Sequence, residues 1–411
     1  MSSLSQNPAV TISRRAAKQL EQGHVWVYCS EIVSAKDVPP GSLIDIRDER
    51  GRFLASGLYS SSSQIAIRKL SSVAVDDLGK LLRERIRAAV AYRDRFVEDT
   101  DAYRVIFSEA DGLPGLIVDR YHDQLAMQIV TQAMDTAPVR AVVIEELVGL
   151  LKPAHIFERA EPRIRMLEEL PPRDSGVVYS SHDAPNPTIF TMNGVRFHFN
   201  PAAGQKTGAF LDQRENYAAA ARWAAAKGAT GKALDMCTYQ GGFALHLAQV
   251  CTEVTGVDAS RASLEVAERN LAENQAIVTA AVDWVEGDAF EILRAWAEPK
   301  SGSEADRVWD LIVLDPPAFA KTKRAVEGAL RGYKELNLRA LRMLRAGGLL
   351  ITCSCSHHVT WSDLESVVAD AAVDAHRRVT LLERRGAAQD HPVLLNLPES
   401  EYLKCLICQI D

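Results

Sequence analysis

Two short stretches carry residue types from which chemistry could be built. The first, Asp310-Leu-Ile-Val-Leu-Asp-Pro-Pro-Ala-Phe319, runs from a buried apolar strand into an acid, Asp315, held beside a rigid proline pair that begins at Pro316. The second, Gly347-Gly-Leu-Leu-Ile-Thr-Cys-Ser-Cys-Ser356, ends another apolar strand in a thiol. Open α/β sheets present their chemistry at the carboxyl ends of their strands. An acid and a thiol brought together there suit methyl transfer to a nucleic-acid base.

The thiol has a definite use if the base is a pyrimidine. Carbon 5 of cytosine is too poor a nucleophile to take a methyl group unaided, so a thiolate must add to carbon 6 and push electron density onto carbon 5. An acid near N3, here Asp315, would stabilise the charge that develops. Strand alternation puts Cys353 and Cys355 on one face, with Cys355 nearer the exposed end. Cys355 is therefore the candidate nucleophile, although a buried free cysteine taken singly is more often a small apolar filler. No motif identifies the base that must remove the carbon-5 proton.

A second group of candidates could hold a nucleoside. The segment Leu234-Asp-Met-Cys-Thr-Tyr-Gln-Gly-Gly-Phe243 ends a strand and passes straight into a helix, which makes Asp235, Tyr239, Gly241, Gly242 and Phe243 candidate cofactor-binding residues. Glycines there permit close backbone approach to a ligand at the helix N-terminus, although a merely tight turn is an equal reading. The next strand ends in Asp258, placed to accept both hydroxyls of a ribose, with a helix N-cap at Asp258 or Ser260 as the alternative reading. A third ends in Asp288, which could accept from an adenine amino group. Glycine turn, ribose acid and adenine acid in that order describe an adenosine pocket. Asp315 and Pro316 at their strand end join the cofactor-binding candidates, as do Phe210, Asp212 and Gln213 from Gly204-Gln-Lys-Thr-Gly-Ala-Phe-Leu-Asp-Gln-Arg214, a segment whose Gln205 separates Gly204 from Lys206 and so breaks the phosphate-loop spacing. The dinucleotide spacing G-x-G-x-x-G is also missing, which disfavours a nicotinamide dehydrogenase.

The elements that would position these residues follow from periodicity. A length of 411 residues allows two or three domains, and 47% hydrophobic with 25% charged residues is an ordinary globular composition. Residues 1–72 read as a small β-rich module, with short apolar runs punctuated by Gly and Pro. Helical spacing from Leu78 through Leu82, Ile86 and Val90 opens a central α+β domain over 73–190, which includes a helix over 137–151. The last domain, 191–411, begins with a hairpin turning at Asn193-Gly194 and continues as alternating strands and helices, which predict a doubly wound, mostly parallel sheet. Its strands are expected at 232–238, 253–258, 282–286, 311–314, 349–353, 379–383 and 402–409.

Charge and cysteine usage narrow the setting. The net charge of −7 is uneven, with +3 over residues 1–72, −6 over 73–190 and −4 over 191–411, so the first module is the natural contact if RNA binds. Trp26 and Tyr28 there could stack on bases, with core packing as the plainer reading. Seven cysteines do not make a disulfide framework, and Cys405-Leu-Ile-Cys408 lacks a second pair for zinc, so no metal is expected. The N-terminus lacks a signal peptide's apolar core and no run is long enough to span a membrane, which gives a cytoplasmic expectation.

Taken in order, these motifs resemble the RlmI-type large-subunit ribosomal RNA cytosine-5 methyltransferases. The resemblance rests on His24-Val-Trp-Val-Tyr28, Gly57-Leu-Tyr59, Gly204 to Arg214, Asp235 to Phe243, Asp315 to Phe319, Thr352 to Ser356 and Asp390-His-Pro392. It implies a PUA RNA-binding domain, a small central domain and a Rossmann-like class I methyltransferase domain that uses S-adenosyl-L-methionine. It also implies that Asp258 and Asp288 hold the cofactor's ribose and adenine and that Cys355 is the covalent nucleophile. The expected partner is RNA, with ribosomal RNA of the large subunit foremost, while a homodimer is left open. Two rivals stand beside this reading: a related enzyme alkylating a purine nitrogen, which needs no thiol, and a non-catalytic RNA-binding assembly factor.

Overall fold

The computed structural model describes residues 7–181, 187–201, 208–297, 308–320 and 322–411; Gly204, Gln205 and Lys206 lie outside the described residues. The chain forms two compact units, one of Met1–Thr188, Phe199–Gly208 and Gln389–Ser400, the other of Ile189–His198, Ala209–Ala388 and Glu401–Asp411. No helix among the described residues is long and apolar enough to cross a membrane.

In the first unit, β1 (Ala9–Ile12), β2 (Trp26–Tyr28), β3 (Ile32–Ser34), β4 (Leu43–Arg47), β5 (Phe53–Tyr59) and β6 (Ile65–Ser71) form a sheet in the order β2-β6-β5-β4-β1-β3. Val10, Ile12, Ile44, Ile46 and Ile67 build its core against Ala16, Ala17 and Leu20 of α1 (Arg14–Glu21). The Ser13 hydroxyl caps that helix by accepting from the Ala16 amide at 3.2 Å. Trp26 is half-buried and its indole N–H donates to Glu109 at 2.9 Å, whereas Tyr28 is 39% exposed. Of the two aromatics singled out for stacking, Tyr28 is the more accessible.

A second sheet of this unit has the order β11-β10-β9-β8-β7, from β7 (Ala102–Phe107), β8 (Leu116–Tyr121), β9 (Gln124–Ile129), β10 (His155–Glu158) and β11 (Gly176–Ser180). Helices α2 (Leu78–Phe96) and α3 (Ala137–Leu151) share its hydrophobic core, and the short α4 (Pro162–Leu167) follows β10. Leu82, Ile86, Ala89 and Val90 form the buried stripe of α2, and the next turn of that face is occupied by Arg93, fully buried. Its guanidinium pairs with Asp111 and donates to the carbonyls of Arg104 at 2.9 Å and Asp390 at 2.7 Å. Asp390 in turn accepts from the Arg104 amide at 2.7 Å. Asp390, read as a motif residue, thus ties the returning segment Gln389–Ser400 into the unit to which it belongs.

The second unit contains all but the end residues of the hairpin β12 (Thr188–Met192) and β13 (Val195–Phe199), whose Asn193 and Gly194 both have positive φ, 51° and 80°, as a two-residue turn requires. Its large sheet comprises β14 (Lys232–Met236), β15 (Glu253–Asp258), β16 (Ala281–Glu286), β17 (Trp309–Leu314), β18 (Leu344–Ser354), β19 (Val379–Arg385) and β20 (Lys404–Ile410), in the order β16-β15-β14-β17-β18-β20-β19. Strands β14 to β18 pair in parallel, while β20 runs antiparallel to both β18 and β19. The central strands are nearly continuous apolar runs because helices cover the sheet's faces. The crossover helices include α5 (Arg214–Lys227), α6 (Gly242–Leu247), α7 (Arg261–Glu273), α8 (Ala289–Ala297), α9 (Val326–Met343) and α10 (Trp361–Asp374). Strand β18 starts five residues earlier than its apolar run suggests, since Gly347 at φ 77° and the shift of register opposite Trp309–Leu311 carry the ladder through the Gly-Gly pair.

Replacing Arg93 with Ala would leave the Asp111 carboxylate and two carbonyls without their buried partner. The expected loss is about 3–5 kcal/mol, read as a lower urea midpoint with the slope retained. A change below about 1 kcal/mol would show that the ion pair contributes little net stability.

Candidate active site

Parallel pairing aligns the carboxyl ends of β16, β15, β14, β17 and β18, and the residues at or just beyond those ends are, in that spatial order, Asp288, Asp258, Asp235, Asp315 and Cys355. One edge of one sheet therefore gathers the acids and the thiol singled out from sequence. Such an edge is where open α/β sheets bind ligands.

The turn after β14 is backbone-strained. Cys237 and Tyr239 hold left-handed φ values of 64° and 53°, and Gly241 follows at 87°. Non-glycine residues occupy this region at a cost, which neighbouring contacts must offset. Buried Asp235 supplies one such contact, its Oδ2 accepting from the Thr238 hydroxyl at 2.6 Å and the Ala244 amide at 2.9 Å. Asp258 supplies another, accepting from the Tyr239 amide at 2.9 Å and the Ser260 amide at 2.8 Å. Ser260 caps α7, its hydroxyl accepting from the Ser263 amide at 3.2 Å, so of the two candidates for that cap it is Ser260 that serves. Asp288 is different. It is exposed and caps α8 through the amides of Phe290 and Glu291.

Close packing explains the second glycine of the turn. A Cβ on Gly242 would lie 2.4 Å from the ring of Tyr217, a buried residue of α5 that also meets Phe243 edge to face at 4.7 Å. Phe210 meets Tyr239 in the same manner at 5.0 Å. Asp212 accepts from the Tyr402 hydroxyl at 2.6 Å, and the Gln213 side-chain oxygen accepts from Asn216 at 2.6 Å. Several buried polar atoms stand without a hydrogen-bond partner among the described residues, and Oδ1 of Asp235 and Nε2 of Gln213 are two of them. Buried polar groups are normally paired, so an acceptor and a donor left over at one sheet edge mark a ligand's place.

Beyond β17 and β18 the two motifs meet. The Cys355 thiol is half-buried and lies 3.9 Å from the carbonyl oxygen of Pro316, the residue after Asp315. Its flanking serines point into the core instead. The Tyr333 hydroxyl of α9 bridges Ser354 Oγ at 2.9 Å and Ser356 Oγ at 3.1 Å, and Ser356 Oγ accepts from the Ala320 amide at 3.2 Å. On the neighbouring strand, buried Lys404 donates from Nζ to the Ser356 carbonyl at 2.9 Å. Cys353 is sealed opposite Cys405, and burial first, then Cys405 and the charge of Asp315, push its thiol well above the ordinary range. Sequence reading passed over Tyr217, Tyr333 and Lys404. The alternation Ser-Cys-Ser was a signal for the hydroxyl pair, whereas nothing local marked their partners.

A family model for PUA-like domains matches residues 10–72, and one for S-adenosylmethionine-dependent methyltransferases matches residues 127–392. The chain belongs to this methyltransferase family. Relatives named ribosomal RNA large subunit methyltransferase I include those of Tolumonas auensis, 35% identical over 97% of this chain and 98% of theirs, and Serratia proteamaculans, 34% identical over 97% and 98%. Among solved structures, a chain described as a methyltransferase complexed with SAH is 19% identical, covers 98% of this chain and 99% of that one, and superposes with a TM-score of 0.80. A Streptococcus mutans chain described as SAM-dependent gives 0.79 at 19% identity and the same coverage. At that identity the likeness speaks for the fold.

The methyltransferase's leftover atoms fit its cofactor. S-adenosylmethionine carries a sulfonium, an ammonium and a carboxylate; the unpaired oxygen of Asp235 suits the ammonium, the amide N–H of Gln213 suits the carboxylate, and the surrounding acids suit the positive sulfur. The same acids strain the protein before the cofactor arrives. Burial, aided by the charges of Asp315 and Asp258, pushes the Asp235 carboxyl up to about 7. Because this folded-state value exceeds the ordinary carboxylate value, ionising Asp235 opposes folding. The cost is absent at pH values below about 4, grows towards pH 7 and is constant above. Asp235→Asn should therefore raise the Tm of the cofactor-free protein more at pH 8 than at pH 5. Equal shifts at both pH values would mean that Asp235 is not held strained.

Proposed function

We propose that this methyltransferase transfers a methyl group to carbon 5 of a cytosine in RNA, with large-subunit ribosomal RNA as substrate, through a covalent adduct with Cys355. The observation that carries the reading is the accessible Cys355 thiol beside the Pro316 carbonyl, one residue from Asp315, with Cys353 shut away behind it. The names of the relatives support the ribosomal substrate.

Each residue has a role. Asp235 and Gln213 hold the methionine end of the cofactor, Asp258 its ribose and Asp288 its adenine. Gly241 and Gly242 let the backbone come close, Tyr239 and Phe243 wall the turn, and Phe210, Asp212 and Pro316 close the far side. The thiolate of Cys355 forms a bond to carbon 6 of cytosine, and the pair released from the C5–C6 double bond makes carbon 5 nucleophilic. Asp315, a carboxylate in the free protein, takes up a proton from solvent as the adduct forms and donates a hydrogen bond to N3, where part of that charge collects. When bound, S-adenosylmethionine supplies an electrophilic methyl group, its sulfur retaining the bonding pair. Loss of the carbon-5 proton to a base then restores the double bond and expels Cys355 as thiolate.

The domain assignment follows the same reading. Residues 1–72 contact RNA, 73–190 form the central domain and 191–411 form the catalytic domain, which would act in the cytoplasm where ribosomal RNA is processed. The positive balance of the first segment and the exposed ring of Tyr28 support the RNA contact.

Labelled S-adenosylmethionine and unmodified large-subunit RNA, with product nucleosides separated by mass spectrometry, test this directly. Wild type should yield 5-methylcytidine, Cys355→Ala should lose on the order of 10³-fold or more in turnover, and Cys353→Ala should retain it. A methylated purine that survives Cys355→Ala would replace the cytosine mechanism with alkylation of a ring nitrogen. Cofactor affinity should also weaken as pH falls through about 7, where Asp235 takes up a proton, and Asp235→Asn should flatten that dependence in calorimetric titrations.

A further inference from the structure

A thiolate at this edge has hostile neighbours. The carboxylates of Asp235, Asp258 and Asp315 crowd the same strand ends, and the nearby Cys237 thiol is pushed far above the ordinary range by burial first and then by those charges. Asp315 stands next to Pro316, whose carbonyl receives the Cys355 thiol. Tyr333 of α9, bonded to the serines on either side of Cys355 and with its phenol kept protonated by burial, brings no compensating positive charge. A cysteine in this company would stay protonated near pH 7 unless a cation acts on it.

Lys404 is placed to be that cation. It opens β20, directly opposite Ser354 in the antiparallel register with β18, and so stands at the end of the strand that carries Cys355. Only 2% of it is exposed, and its Nζ donates to the carbonyl of Ser356, the residue after the thiol, at 2.9 Å. We propose that Lys404 is a positioning residue that fixes the end of β18 and supplies the positive charge under which Cys355 ionises. The inference rests on Cys355 being the nucleophile.

The costs and compensations are consistent with this role. Burial lowers the pKa of the Lys404 ammonium, and the opposing influences that hold the proton on it are the charges of Cys355 first, then Glu401 and Asp363. A buried ammonium with one acceptor among the described residues is an expensive way to tether a strand end, which a neutral side chain could do as well. The same charge serves twice in a covalent mechanism, since Cys355 must be a thiolate when it attacks and again when it leaves. A positive charge held at the strand end, on the carbonyl of the next residue, favours both events.

The ionisation of Cys355 can be read without any RNA. Full-length protein is alkylated with iodoacetamide across a pH series, and the Cys355 peptide is followed by mass spectrometry apart from the other cysteines. In wild type the midpoint should lie below the ordinary thiol value of about 8.5. Lys404→Met should raise it by one unit or more, so that alkylation at pH 7 slows about tenfold. Lys404→Arg, which keeps the charge, should restore most of the rate. A wild-type midpoint at or above 8.5 overturns the proposal whatever the variants do, and so does an unchanged midpoint in a Lys404→Met protein that still binds S-adenosylmethionine. Should Cys355→Ala keep its methyl transfer while the Lys404-dependent midpoint shift is present, the nucleophile assignment fails and the electrostatic link stands.

Discussion

The Tyr333 hydroxyl, bonded to both Ser354 and Ser356, is the fixed point about which the reactive end of the molecule is built. Three elements meet there: the end of β18, the helix α9, and the Ala318–Ala320 turn, whose Ala320 amide reaches Ser356. All three hydroxyls are buried, so none can exchange its partner for water without loss. Because strand side chains alternate, binding both serines into the core forces the cysteine between them to the opposite face. The position of Cys355 is thus set by its neighbours' hydrogen bonds more than by any contact of its own sulfur. Lys404 and Pro316 then act on a thiol already placed.

A second constraint is electrostatic. Parallel strands bring acid after acid to one edge, and the protein tolerates the repulsion by burying Asp235 with two donors and by giving Asp258 two backbone amides. The strained backbone at Cys237 and Tyr239 is part of the same arrangement, since the Tyr239 amide donates to Asp258 from that conformation. A cofactor with two positive groups relieves this repulsion, which is how a site that is poor as an empty cavity becomes favourable when filled.

Much of this was legible before the coordinates. Apolar runs ending in Asp315 and Cys355 fixed both the strands and the side of the sheet on which they end, because period and polarity are local properties. The hairpin at Asn193-Gly194 was equally plain, since a two-residue turn makes demands on backbone angles that few residues meet. Contacts between distant segments were not. Tyr333 reads as one more apolar position on α9, Tyr217 as one more on α5, and Lys404 as the polar start of an edge-like strand. The reversed direction of β20 was hidden for the same reason, as an apolar run does not state its direction. Asp390 was noted as part of a motif, but its work, holding Arg93 and Arg104, depends on residues nearly three hundred positions away.

That separation bears on how the molecule comes into being. A chain emerges from the ribosome N-terminus first, and its domains ordinarily fold as they appear. Here the first unit includes Gln389–Ser400, so Arg93 is made early and the Asp390 carbonyl that receives it is made almost last. Throughout elongation a guanidinium destined for full burial must remain hydrated or borrow partners. The first unit therefore cannot reach its final packing until nearly the whole catalytic sheet has been synthesised, which couples the maturation of the two units in time.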